Sequence, residues 1–168
     1  MPSNPYSPPR AAVRDIEAEQ EYQEIRMWSA RGRIGRLRYL AYAVGASLLV
    51  GVALALLGGV LGTSLGMVVA AVLYIVAVVF SILIAIKRSH DMDWSGWTVL
   101  LMLIPFAALI WIFKGGSEGT NSYGPPPPPN TLGVKILGLL LPIFFVIGIL
   151  AAVAIPAYVE YTKRVAGG

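Results

Sequence analysis

The chain has no cysteine, a single histidine and few charges, with Asp, Glu, Lys and Arg making up 13% of its 168 residues. Without cysteine there is no disulfide, no thiolate metal ligand and no Cys nucleophile. One histidine, with neither an H-E-x-x-H pattern nor a Cys set beside it, falls short of a zinc signature. Between Tyr39 and Ile86, and again between Trp97 and Phe113, there is no Asp, Glu, Lys, Arg or His. Ion-coupled transporters and proton relays place such groups inside the membrane, so a lone copy of this chain lacks their usual equipment. No catalytic, cofactor-binding or metal-binding residue is assigned, and the chain reads as no enzyme.

What is abundant is apolar sequence, with 57% hydrophobic residues and a mean hydropathy of +0.70. This composition is that of an integral membrane protein. Crossing a hydrocarbon core of ~30 Å takes about 20 residues of helix. Apolar runs occupy 39–61, 65–86, 97–113 and 132–155, the third short and interrupted by Pro105. The expectation is an all-α, polytopic protein with about four transmembrane helices. The first two runs are separated only by Gly62–Ser64 and form a hairpin.

Around the runs the organisation is simple. Residues 1–30 form a leader: MPSNPYSPPR lacks the apolar content to pack, and AAVRDIEAEQEYQEIRMWSA reads as a short cytosolic helix on the headgroups or as a solvated leader. No secretory signal is expected at its start, so the first apolar helix directs insertion. Residues 31–127 form the membrane domain, and 128–168 comprise the end of a linker, the last helix and a short basic tail. Pro125 to Pro129 make a stiff polyproline II spacer of ~15 Å.

Arg10, Arg14, Arg26, Arg31, Arg33, Arg36 and Arg38 all precede the first run, and Lys87 and Arg88 follow the second. The positive-inside rule puts both regions in the cytoplasm. If 97–113 spans, both termini are cytoplasmic; if it breaks at Pro105 and re-enters, the Gly-rich loop is cytoplasmic and the C-terminus lies across the membrane. Re-entrant backbone needs protein or water around it, so four spans is the preferred reading. Ala43, Ser47, Gly51, Ala55 and Gly59 recur at every fourth position and form a stripe for close helix packing. The first expectation is packing between the first two helices, the second homo-oligomerisation.

Polar residues gather into three motifs. GRIGRLRY carries Gly32, Arg33, Arg36 and Tyr39; KRSHDMDWSGW carries Arg88, His90, Asp91, Trp94, Ser95, Gly96 and Trp97; GGSEGTNSYGPPP carries Gly116, Gly119, Asn121, Tyr123 and Gly124. With Ile104 and Pro105 between the last two, this series resembles the bacterial inner-membrane family called domain of unknown function 805, over about residues 32–127. The resemblance implies a small polytopic inner-membrane protein and no particular activity. Leu40 stands where many members have a second aromatic.

His90 beside Asp91 and Asp93 raises a metal or relay site, and Ser89 or Ser95 a nucleophile. Adjacent positions on one short loop rarely supply that geometry. A better-supported reading is an interfacial cluster of Arg33, Arg36, Arg88, His90 and Asp91 that pairs internally and with anionic lipid headgroups, Asp91 meeting Arg33 or Arg36. Tyr39, Trp94 and Trp97 then serve as interfacial aromatics. The implied partners are membrane lipids, a second copy or an unidentified protein, and no nucleic acid.

The last helix is a separate matter. Residues 138–164, ending in GILAAVAIPAYVEYTKR, resemble the N-terminal helix of type IV pilins. The places of the pilin cleavage-site glycine and assembly glutamate hold Val134 and Leu139 here, so pilin function is not implied. The functional expectation is a membrane scaffold or interaction protein, with a small oligomeric channel or an accessory of pilus or secretion machinery as alternatives.

Overall fold

The computed structural model describes residues 22–58 and 60–167. They are helical, with no β-strand among the described residues. Helix α1 covers Arg36–Gly58, α2 Gly62–Asp91, α3 Leu109–Phe113 and α4 Leu132–Ala166, and a 3-10 helix covers Gly96–Leu103. Three of these, α1, α2 and α4, are long and apolar enough to cross a membrane. At 1.5 Å per residue they measure roughly 35, 45 and 52 Å.

The turn between α1 and α2 sits earlier than expected. Val60 and Leu61 donate to Leu57 O at 3.1 and 3.0 Å, and Gly62 opens α2 at φ +66°, a left-handed backbone that glycine takes without a Cβ penalty. Thr63 and Ser64 are therefore helical. At α4 the Thr131 hydroxyl caps the helix by accepting from Val134 N at 3.4 Å, which satisfies one of the orphan donors of the first turn. Pro142 and Pro156 both lie inside α4.

Two expectations need correction. The helix expected over residues 11–30 is absent from its described part: residues 22–30 are irregular and turn backbone, and 1–21 lie outside the described residues. This segment is tied down by main-chain contacts, Gln23 N to Pro126 O at 3.3 Å and Lys87 Nζ to Arg26 O at 2.7 Å. Those contacts compete with helix formation, since they use the same backbone groups.

The second correction concerns 97–113, expected as a span. It divides into the 3-10 helix and α3, with Ile104 extended between them and Phe106 at φ +65°. Eight residues of 3-10 helix rise only ~16 Å at about 2.0 Å each, roughly half a hydrocarbon core. Both ends of the segment meet the same end of α2. A Cβ on Gly96 would lie 2.9 Å from Ile86 Cγ2, while the Trp111 indole donates to Ser89 Oγ at 2.9 Å. Lys114 Nζ stands 5.0 Å from the Trp94 ring centroid. The segment is thus a hairpin that leaves the C-terminal end of α2 and returns to it. Its bend is chemically prepared: Ile104 N donates to Leu101 O, Ala107 N to Ile104 O and Leu109 N to Phe106 O, and Pro105 has no N–H to leave unmatched.

The chain then re-enters the long-helix bundle beside α1. Arg38 Nη2 donates to Pro129 O at 3.0 Å, and a Cβ on Gly138 would fall 2.5 Å from Leu37 O. Only glycine lets the α4 backbone approach α1 so closely there. The starts of α1 and α4 and the end of α2 share one end of the molecule.

That shared end also holds most of the burial. Ile34, Phe80 and Ile84 form the apolar core, with Tyr39, Tyr42, Ala43 and Ala46 against it. Beyond it large apolar side chains face outward, among them Leu49, Val60 and Tyr74, as expected where the surroundings are lipid tails. The small-residue stripe behaves differently from the first expectation. Ala43 packs on the core, but Ser47 and Ala55 are exposed, a Cβ added at Gly51 would meet nothing within 4 Å, and Gly59 lies outside the described residues. Outside the stripe, Gly45 faces α4, where an added Cβ would lie 3.8 Å from Leu137 Cδ1.

Candidate functional site: a polar cap

Asp91, in the last turn of α2, lies at the centre of the shared end. Its carboxylate bridges two guanidiniums, Arg88 Nη1 to Oδ2 at 2.7 Å and Arg33 Nη2 to Oδ1 at 3.3 Å. All three side chains are at most 5% exposed. Helical spacing brings Arg88 and Asp91 together at i and i+3, whereas Arg33 arrives from the segment before α1. Arg36, the other candidate for Asp91, instead donates to Phe113 O at 3.2 Å.

Apart from Arg33 Nε, which is buried without a partner, the remaining guanidinium nitrogens donate to backbone carbonyls. Arg33 Nη1 reaches Gly119 O at 2.7 Å and Gly124 O at 3.2 Å, and its Nη2 reaches Ser117 O at 2.7 Å. Arg88 Nε donates to Trp111 O at 3.0 Å and Nη2 to Lys114 O. Arg33 therefore organises the Gly-rich loop and Arg88 the returning arm of the hairpin. Gly116 is seated on Asp91 itself, where a Cβ would come within 2.1 Å of Oδ2. Gly32, Gly119 and Gly124 take φ of +86°, +62° and +114°, so the loop motifs need glycine for its backbone.

His90 is part of the same fastening. Its ring stacks on Tyr123 at 3.8 Å and 5°, Nδ1 lies 3.2 Å from Gly32 O, and its carbonyl accepts from Asn121 Nδ2 at 2.8 Å. Contact with a carbonyl makes Nδ1 the donor and assigns the lone pair to Nε2. Asn121 also donates to Ser117 Oγ at 2.7 Å and accepts from Tyr123 N at 2.9 Å, and Ser117 N donates to Asp91 O at 2.7 Å. The serines near His90 are used elsewhere: Ser89 Oγ donates to Ala85 O, and Ser95 Oγ accepts from Trp97 N. Hydrogen bonding within the cap thus fixes loops to helices and aims no hydroxyl at the imidazole.

All three polar motifs meet here. Of the aromatics, Tyr39 is half-buried, Trp94 packs edge-on to Trp111 with centroids 6.1 Å apart, and Trp97 is 80% exposed. Sequence reasoning missed Trp111, which is fully buried and bonded to Ser89 and Ala85, because it read residue 111 as part of a span. It also missed Ser117, Lys87 and Arg38. Lys87 and Arg38 were seen only as topology signals, although both are at most 3% exposed.

The described residues define an all-helical fold with three helices long and apolar enough to cross a membrane, fastened at one end by a buried polar cluster. Residues 27–125 match the family described as "Protein of unknown function (DUF805)", and the chain belongs to that family. No curated protein and no solved structure matches it.

Proposed function

We propose that the protein is a non-enzymatic scaffold or interaction protein of the bacterial inner membrane, its polar cap in the cytoplasm and α4 carrying the C-terminus to the other side. The observation that carries this is how fully the cap is engaged: Asp91 serves Arg33 and Arg88, and apart from the buried, unpartnered Arg33 Nε the other nitrogens of those guanidiniums, with His90, Asn121 and Ser117, bind backbone and one another. A site built to turn over substrate keeps an acid, base or nucleophile available; this one uses them as fasteners. The hairpin of 96–113 supports the orientation. Since it returns to the end it left, the basic segment before α1, the end of α2 and the Gly-rich loop share the side favoured by positive charge. The exposed last turns of α4, with Tyr158 and Tyr161, then stand across the membrane as the surface presented to partners.

The test uses the absence of cysteine. Tyr158→Cys in the full chain, carrying a photo-crosslinker in living cells, is expected to trap a discrete partner. The purified protein in liposomes is expected to pass no ions. Ion flux through the liposomes would instead favour the oligomeric channel and overturn the scaffold reading.

A further inference from the structure

Among the described residues, the four cations Arg33, Arg38, Lys87 and Arg88 are at most 3% exposed, and one carboxylate, Asp91, is buried with them. Carbonyls offset part of this imbalance. Arg38 is the least satisfied: Nη2 donates to Pro129 O, while Nε and Nη1 are buried without a partner. A buried charged donor left unmatched is costly, so the end of α1 has an unmet need for an anion.

Arg38 lies one helical turn before Ala41 and Tyr42, the first α1 residues that line an apolar groove. Arg38, Ala41, Tyr42, Gly45, Ala46 and Leu49 follow i, i+3, i+4, i+7, i+8, i+11 spacing and share one face of α1. From Ala41 onward that face lines a groove of about 410 Å³, closed by Phe80 of α2, Leu137 of α4 and Trp28. Its volume is that of a small-ligand site, and its walls belong to helices of membrane-spanning length. Trp28 lies edge-on to Phe80 with centroids 5.6 Å apart.

We propose that this groove is a specific site for one anionic phospholipid, an acyl chain lying along Ala41 to Leu49 and the phosphate held at the Arg38 end. The small side chains of Gly45 and Ala46 make room for the chain, and the surplus of buried cations selects the sign of the headgroup. The proposal rests on the membrane-embedded reading with the cap at the headgroups. It is independent of which partner α4 meets.

Tryptophan quenching by brominated lipids tests it. The full-length protein in nanodiscs is compared with Trp28→Phe to isolate the Trp28 signal, using brominated phosphatidylglycerol or phosphatidylcholine of identical chains. Both lipids offer Arg38 a phosphodiester, and only phosphatidylcholine adds a cation that the buried cations repel; a preference of about tenfold, about 1.4 kcal/mol, means that phosphatidylglycerol should quench at about a tenth of the mole fraction. Arg38→Gln should lose that preference, Arg38→Lys should retain it, and Arg31→Gln, which removes only an exposed charge, should also retain it. Gly45→Leu should abolish saturable quenching by both lipids. Equal quenching by the two lipids in the unaltered protein, or a preference that survives Arg38→Gln, overturns the proposal. So does quenching that appears only after residues 1–21 are removed, or only on dilution to monomer, since the chain's own N-terminal segment or a second copy would then be the occupant. None of these results bears on crosslinking from residue 158 or on ion flux, so failure here is distinct from failure of the scaffold reading.

Discussion

Replacing Asp91 by Asn keeps the shape of the side chain and removes its charge. In the folded protein that leaves Arg33 and Arg88, 1% and 0% exposed, without a counter-ion. Removing one partner of a buried pair costs about 3–5 kcal/mol, a large share of the 5–15 kcal/mol that holds a typical domain together. At roughly 2–4 °C per kcal/mol for a chain of this size, the thermal midpoint should fall by roughly 6–20 °C. Near-UV circular dichroism of the purified protein in detergent measures this directly, because Trp111 and Trp94 pack on the cap. The Gly-rich loop should also become sensitive to protease, as Asp91 O holds Ser117, and Arg33 holds Ser117, Gly119 and Gly124. Arg88→Met combined with Asp91→Asn should cost less than the sum of the two changes, since the pair no longer leaves both charges stranded. A midpoint for Asp91→Asn within about 2 °C of the unaltered protein, under 1 kcal/mol on the same scale, would refute the fastener account.

Other changes probe separate contacts. Gly116→Ala puts a methyl group against the Asp91 carboxylate and should destabilise by about 1–3 kcal/mol, measured by the same melting curve. Gly138→Leu meets the Leu37 carbonyl and should push α4 off α1; a Leu37→Cys, Leu137→Cys pair, checked for crosslinking with and without the Gly138 change, reports the separation. Tyr123→Ala removes the stack on His90 and should cost about 0.5–1.5 kcal/mol beyond its lost buried area, seen as a smaller midpoint shift than that of Asp91→Asn.

The sequence made the long helices legible because lipid demands uninterrupted apolar length: α1 and α2 cover most of the runs at 39–61 and 65–86, and α4 begins with the run at 132–155 but continues through Pro156 to Ala166. It misread 97–113 for the same reason. Apolar content reports compatibility with hydrocarbon but not whether the chain crosses or turns back, and Pro105 was the one local hint of a bend. The decisive information was non-local: Trp111 reaching Ser89, and Arg88 reaching the Trp111 and Lys114 carbonyls. Asp91 and an arginine were correctly linked across the motifs, yet charge alone did not separate Arg33 from Arg36, which depends on the glycine turn at Gly32. Of the small-residue stripe, Ala43 packs on the core that Phe80 and Ile84 of α2 help to form, while Ser47 and Ala55 are exposed; spacing identifies a face that can pack and not the helix that packs on it.

The most direct test is a paired topology map, with reporters active on one side of the membrane fused within the loop 114–130 and after Gly168. A hairpin that returns to its own side predicts the loop on the cytoplasmic side and the C-terminus on the opposite side. A loop outside and a C-terminus inside would mean that 97–113 crosses, and would contradict the shared-end arrangement on which the cap depends.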